Sequence, residues 1–240
     1  MSLSPLHGRR ALVTGASRGI GAATARALAA LGARVALVAR SADELGALAR
    51  TLPHGAVAVP ADLTAEGATD RVLAAVRAAF GAEPDLLVHA AGTFPMAPVE
   101  ALTNAELDAA LALHVAVPLK LVRALLPGLR AAGSGHIVMI GSVADRMIFP
   151  ANAAYAATKH ALRAAHETLR AETRGSGVRT TLISPAATDT PIWDPHQPDT
   201  TPHLPSRAEM LRAEDVADAV GWAVTRPPHV DIEELRLARS

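Results

Sequence analysis

Residues Arg10-Ala-Leu-Val-Thr14-Gly15-Ala16-Ser17-Arg18-Gly19-Ile20-Gly21 decide the fold of this chain. A short apolar run ends at Thr14, glycines recur at 15, 19 and 21, and Ala22-Ala-Thr-Ala-Arg-Ala-Leu28 continues in helix-forming residues. The order is strand, glycine-rich turn, helix. Glycine lets backbone approach a pyrophosphate, and the helix N-terminus behind it carries roughly half a positive charge. The spacing G-x-x-x-G-x-G departs from the commoner G-x-G-x-x-G. A plain turn that needs positive φ would also use glycine. The strand before and the helix after favour dinucleotide binding.

Working outward, the same alternation repeats along the chain. Apolar, β-branched runs predict strands near 10–14, 34–39, 56–60, 85–89, 136–141, 178–183 and 232–237. Ala/Leu/Arg-rich segments predict helices near 18–31, 42–51, 65–80, 104–130, 152–174 and 213–225. Such βα repetition argues for a single α/β domain over 1–240, a doubly wound parallel sheet with helices on both faces. Leu86-Leu-Val88 and Ile137-Val-Met-Ile140 lack polar alternation, as strands buried on both faces do. Residues 185–206 break the pattern with a proline-rich stretch that also holds His196 and His203. It follows a strand at its C-terminal end, where open α/β sheets bind ligands, and reads as a substrate lid.

Half of the residues are apolar and only 2 % are aromatic, so the core must be aliphatic. Lys and Arg total 23 against 23 Asp and Glu, which gives no nucleic-acid or anionic-membrane footprint. There is no cysteine, hence no disulfide and no thiolate chemistry. Met1-Ser-Leu-Ser-Pro-Leu-His7 lacks the apolar centre of a signal peptide, and no uninterrupted apolar stretch reads as membrane-spanning. A cytoplasmic protein is expected. The histidines show no metal-ligand spacing, so no metal is expected.

The one tyrosine, Tyr155, stands four residues before Lys159. On a helix the two share a face, and a neighbouring cation would draw a phenol of ordinary pKa roughly 10 toward the working range. Taken alone, this spacing is also that of an amphipathic helix with a core tyrosine and a surface lysine. Thr14-Gly15-x-x-x-Gly19-x-Gly21, His89-Ala-Ala-Gly92, Ser142 and Tyr155-x-x-x-Lys159 together resemble the short-chain dehydrogenase/reductase family in its single-domain form. The resemblance runs over nearly the whole chain, and Ser142 precedes Tyr155 by thirteen positions, as that family usually has it.

The resemblance implies a Rossmann domain with seven strands in the order 3-2-1-4-5-6-7. It implies hydride transfer between a nicotinamide and a carbonyl or alcohol substrate. Tyr155 would be the general acid/base, Ser142 would position the substrate oxygen, and Lys159 would lower the tyrosine pKa and hold the nicotinamide ribose. The family's fourth residue is an asparagine; His114 stands there, and the proton relay is open between a water-binding imidazole and a structural one. Cofactor contacts are implied for Gly15, Ser17, Arg18, Gly19, Ile20 and Gly21 in the loop. Arg40 and Ser41 follow the second strand, Asp62 and Leu63 the third, and Ala90, Ala91 and Gly92 the fourth. Pro185, Ala186, Thr188 and Thr190 would border the carboxamide. Ala39 replaces the aspartate of NAD-preferring relatives, and Arg18 with Arg40 suits a 2′-phosphate, so NADP(H) is expected over NAD(H). Phe94, Met96, Met147, Ile148, Phe149, Ile192 and Trp193 predict an apolar substrate pocket, and Arg146 either a substrate-carboxylate partner or a surface residue. The helices near 104–130 and 152–174 imply a homodimer or homotetramer. The alternative to an enzyme is a non-catalytic NADP(H)-binding sensor that retains the fold.

Overall fold

The computed structural model describes residues 4–240. Its main elements are β1 (Arg10–Thr14), α1 (Gly19–Ala30), β2 (Arg34–Ala39), α2 (Ala42–Thr51), β3 (Val57–Pro60), α3 (Ala68–Phe80) and β4 (Leu86–His89). There follow α4 (Asn104–Leu111), α5 (Val117–Ala131), β5 (Gly135–Ile140), α6 (Ala153–Thr173), β6 (Val178–Pro185), β7 (Thr188–Asp189), β8 (Leu211–Arg212), α7 (Ala213–Val224) and β9 (Glu234–Leu237). Seven strands form one sheet in the order β3-β2-β1-β4-β5-β6-β9, and every pairing in it is parallel. This is the doubly wound order expected from the sequence.

Successive residues of a strand face opposite sides of the sheet. In β1, Leu12 packs into the cluster with Val72, Leu121, Leu125 and Leu162 of α3, α5 and α6. Its neighbour Val13 packs into the other cluster, with Leu28 of α1 and Val216, Val220 and Val224 of α7. Both faces are covered, which is why the central strands show no polar alternation. The strand order turns back between β1 and β4, and their C-terminal ends open the crevice in which such sheets bind ligands.

Three expectations need correction. The helix expected over 104–130 is interrupted at Ala112–Ala116 by a π-helical turn. Pro118 is the reason: it has no N–H for the carbonyl four residues back. The 28-residue run Asn104–Ala131 is nevertheless long and apolar enough to cross a membrane by length and composition. Its few charged residues are spread out, and its inner face, with Val117, Leu121, Leu125 and Leu129, belongs to the core. Finally, 185–206 is not a plain loop. It contains β7, which pairs with β8, and a 3₁₀ helix at Pro191–His196.

Candidate active site

The glycine turn is shaped by close contact. Gly15 and Gly19 have φ of +67° and +55°, and a Cβ on Gly21 would lie 2.2 Å from the Gly15 carbonyl oxygen. Arg18 precedes α1 without a side-chain cap, and the first turn of α1 has no acidic residue. The N–H groups at the start of α1 are left for an anion. A cavity of about 1200 Å³ runs from this turn to Tyr155. Gly15, Ser17, Arg18, Gly19, Ile20, Gly21, Arg40, Ser41, Asp62, Leu63, Ala90, Ala91, Gly92, Pro185, Ala186, Thr188 and Thr190 all line it, as do His114, Ser142, Tyr155 and Lys159.

Local bonds occupy some of these side chains. Ser41 caps α2 by accepting from the Glu44 N–H. Asp62 accepts from both N–H and hydroxyl of Thr64, which holds its carboxyl below the usual range. The Thr188 hydroxyl donates to the Ala186 carbonyl, and Thr190 packs against Gly19. Arg18 and Arg40 stay exposed at the glycine end of the cavity.

At the other end, α6 carries Tyr155 and Lys159 on one face, with the Lys159 Nζ 5.5 Å from the phenol ring centre. Ser142 leaves β5 and caps a short 3₁₀ turn by accepting from the Ala144 N–H. Its own proton is directed to the Tyr155 oxygen. Lys159 donates to the Ile140 carbonyl at 2.9 Å. Burial brings this ammonium down to about 8, with the Asp145 charge opposing. The expected lowering of Tyr155 is reversed. Burial raises the phenol above its ordinary value, the Ser142 hydrogen bond pulls it back, and Asp145 raises it further. The lysine is aimed at a backbone carbonyl and is itself desolvated, so it does not outweigh the burial of the phenol.

The two histidines are held in opposite tautomers by their partners. The Thr14 hydroxyl accepts from the Ala90 and Ala91 N–H groups, so its proton goes to His89 Nδ1 at 2.9 Å. His89 Nε2 then carries the hydrogen and donates to the Leu113 carbonyl. In the π turn the Val117 N–H goes to Ala112, which frees that Leu113 carbonyl for the imidazole. His114 Nε2 accepts from the Thr93 N–H at 2.9 Å, so Nδ1 donates to Thr158, whose hydroxyl donates on to the Tyr155 carbonyl. Both rings are neutral: burial, and then the Lys159 charge, take His89 to about 3 and His114 well below its ordinary value. Both His114 nitrogens are engaged by protein groups.

Phe94, Met96, Phe149, Ile192 and Trp193 line the catalytic end. Phe94 sits edge-on to Tyr155 at 4.7 Å and 4.8 Å from Trp193. Met147 and Ile148 do not line the cavity; they are exposed on the surface. Arg146 is tied to Glu234 and takes no part in the site. Sequence reasoning missed three side chains. Asn152 signalled itself only by standing three residues before Tyr155. Thr14 lay inside the quoted strand as the hub that fixes the His89 tautomer. Asp145 is fully buried, accepts from Ser184 at 2.6 Å and gave no signal.

A family model described as short chain dehydrogenase matches residues 9–201. An uncharacterized oxidoreductase of Staphylococcus haemolyticus is 34% identical over 234 residues, 97% of this chain and 98% of that protein. Among solved structures, a metagenomic short-chain oxidoreductase in complex with NADP superposes with a TM-score of 0.84 at 33% identity, covering 99% of both chains. An alcohol dehydrogenase from the archaeon Thermococcus sibiricus, complexed with 5-hydroxy-NADP, gives a TM-score of 0.84 at 29% identity over 95% of each.

Proposed function

Since this chain belongs to the short-chain dehydrogenase/reductase family, we propose that it is an NADP(H)-dependent reductase of neutral carbonyl compounds, with Tyr155 as the proton donor. The observation that carries the reading is the Ser142, Tyr155 and Lys159 cluster at one end of a cavity whose other end is a glycine turn flanked by two arginines. The glycine turn fits a dinucleotide, because Gly21 lets α1 pack directly on the turn and the N–H groups at the start of α1 carry no side-chain cap. Arg18 and Arg40 would hold a 2′-phosphate by charge-assisted bonds, a supply of charge that a plain ribose does not need. Bound there, NADPH would supply the hydride.

The residues divide the remaining work. Ser142, which accepts from the Ala144 N–H, would turn its proton from the Tyr155 oxygen to the substrate oxygen and orient it. Tyr155 is neutral at neutral pH because burial raises its pKa. A neutral phenol can give a proton to the developing alkoxide in reduction, and the same oxygen would take one from the alcohol in oxidation. Lys159 stands beside the phenol ring, bonded to the Ile140 carbonyl, and would hold the nicotinamide ribose hydroxyls with its remaining N–H groups. His114 ties the Thr93 backbone to Thr158 and so positions the turn of α6 that bears Tyr155. Residues 185–206 cover the substrate end as a lid. The outer faces of α5 and α6, with exposed Leu119 and small Ala157 and Ala164, suit contact with a second copy as a homodimer or homotetramer; light scattering tests this.

The test of the function is kinetic. NADPH oxidation with a panel of ketones and aldehydes is expected, with a higher kcat/KM than for NADH. Tyr155→Phe should lower kcat by at least about 10²-fold. Arg40→Ala should raise the KM for NADPH and leave NADH unaffected. An NADPH constant untouched by Arg40→Ala would refute the cofactor assignment, and full activity in Tyr155→Phe would refute the chemistry.

A further inference from the structure

We infer that Asn152 selects the substrate by hydrogen-bonding a hydroxyl on the carbon next to the reacting carbonyl, so that the enzyme acts on neutral α-hydroxy ketones. This deepens the reductase reading and rests on it. Asn152 immediately precedes α6, three residues before Tyr155. It lines the same cavity as Ser142 and Tyr155. Its side chain is unused. Asn152 is 7% exposed, and its Oδ1 is buried with no hydrogen-bond partner. An asparagine at this position normally caps the helix, yet Asn152 makes no cap bond. Buried polar groups are nearly always paired, and an exception beside a catalytic tyrosine points to a ligand as the missing partner.

The backbone supports the same conclusion. Ala151 has φ of +61°, a conformation that residues bearing a Cβ rarely adopt. Its carbonyl accepts from the Ala97 N–H at 2.9 Å, which locks the 149–152 turn to the strip carrying Phe94 and Met96. Strain held in place by a tertiary bond gathers at ligand sites. Charge decides the ligand class. Arg18, Arg40, Glu44 and Asp62 line the glycine end, and Lys159 is the one charged side chain at the catalytic end. A carboxylate on the substrate would find only the Lys159 ammonium, already donating to the Ile140 carbonyl, and a substrate ammonium would be repelled by it. A hydroxyl is what the amide oxygen can accept from without a counter-ion, once the side chain turns that buried oxygen into the cavity. Because Asn152 and Tyr155 line the same cavity three residues apart in sequence, a hydroxyl on the carbon next to the carbonyl is the substituent the amide is taken to meet.

The test is NADPH-supported reduction of matched pairs: 2-hydroxyacetophenone with acetophenone, and 1-hydroxy-2-butanone with 2-butanone. Asn152→Leu and Asn152→Ala should each lower kcat/KM for the hydroxylated member about tenfold, mainly through KM. Both should leave the plain ketone within about twofold, and Asn152→Ser should recover part of the loss. Comparing variants cancels the difference in intrinsic reactivity within each pair. An equal fall for both members would overturn the inference by making Asn152 a merely structural residue, as would no change for either. Plain ketone turnover with an unaltered hydroxyl preference in the variants sinks this inference and spares the reductase reading. Turnover of no member of either pair sinks the reading and this inference with it.

Discussion

At the scale of single residues, the site is governed by which groups are kept neutral. His114 has a hydrogen bond on each nitrogen and a pKa held well below the usual value by burial. It therefore stays neutral across the working range and adds no limb to the pH–rate profile near 6.5. His114→Ala is expected to lower kcat roughly tenfold, less than Tyr155→Phe, with the profile unmoved. A limb near that pH that vanishes in His114→Ala would make the imidazole a proton carrier. Asp145 acts in the opposite sense, since its charge disfavours the Tyr155 phenolate. Around Asp145 stand Tyr155, Lys159 and Arg163 of α6, Ser184 of β6, and Arg146 with its partner Glu234 of β9. Asp145→Asn keeps a side chain of the same shape against Ser184 while removing the charge. The pH at which alcohol oxidation rises should move to lower values, and an unmoved limb would remove Asp145 from the electrostatics. For Lys159, the folded pKa of about 8 lies below the ordinary 10.5. A depressed lysine costs stability below its folded value, and the cost fades as pH rises through its unfolded value. Lys159→Met should then melt higher than the parent at pH 7, by up to ~3 kcal/mol less the cost of the orphaned Ile140 carbonyl, with the gap closing toward alkaline pH. Thermal melts at several pH values check the sign.

At the scale of elements, the interruption between α4 and α5 is the feature that sequence periodicity could not disclose. The apolar pattern runs through 104–130 without a break, and Pro118 is compatible with the start of a helix as well as with a gap in one. The outcome depended on a tertiary partner, because the freed Leu113 carbonyl is satisfied by His89 from β4. His89→Leu should leave that carbonyl unpaired at a cost of about 1–3 kcal/mol. For a chain of this size that is a fall in melting temperature of roughly 2–12 °C, read by calorimetry. An unchanged melt would mean that the π turn satisfies itself. By contrast, the glycine turn and the Tyr155–Lys159 pair were legible because each rests on local geometry: positive φ, close backbone approach, and a shared helical face. What stayed hidden was set by neighbours distant in sequence. Met147 and Ile148 read as pocket residues by composition, yet the turn after β5 directs them outward. The direction of the Tyr155 shift depends on burial, which no spacing reveals.

At the scale of the whole molecule, the cavity joins two ends that the sheet order brings side by side, and one segment bridges them. The strand order was legible from the βα repetition and the family resemblance, because right-handed crossovers leave few alternatives. The segment after β6 was not, because proline-rich sequence carries no period from which pairing could be read. It is held by β7 against β8 and by Arg207, which donates to Asp189 at 2.5 Å and Asp194 at 2.6 Å and lies 3.7 Å from Asp199. Isolated exposed ion pairs contribute little, but one guanidinium gathering three carboxylates forms a network that ties both ends of the segment together. His196 adds an internal tie, bonding the Phe94 carbonyl at 2.9 Å across the substrate end. If this segment is the lid, loosening it should weaken substrate binding more than dinucleotide binding, since Arg207 reaches the cofactor side only through the Thr190 carbonyl and Asp189 and is absent from the cavity lining. Arg207→Gln is therefore expected to raise the KM for the ketone several-fold and to speed amide exchange over 190–205, with a smaller change in KM for NADPH. High salt should mimic the variant in the parent protein, because exposed charges are screened within about a Debye length. A rise in the NADPH constant of equal size, or faster exchange with no change in either constant, would make this segment a brace of the scaffold and not a cover for the substrate.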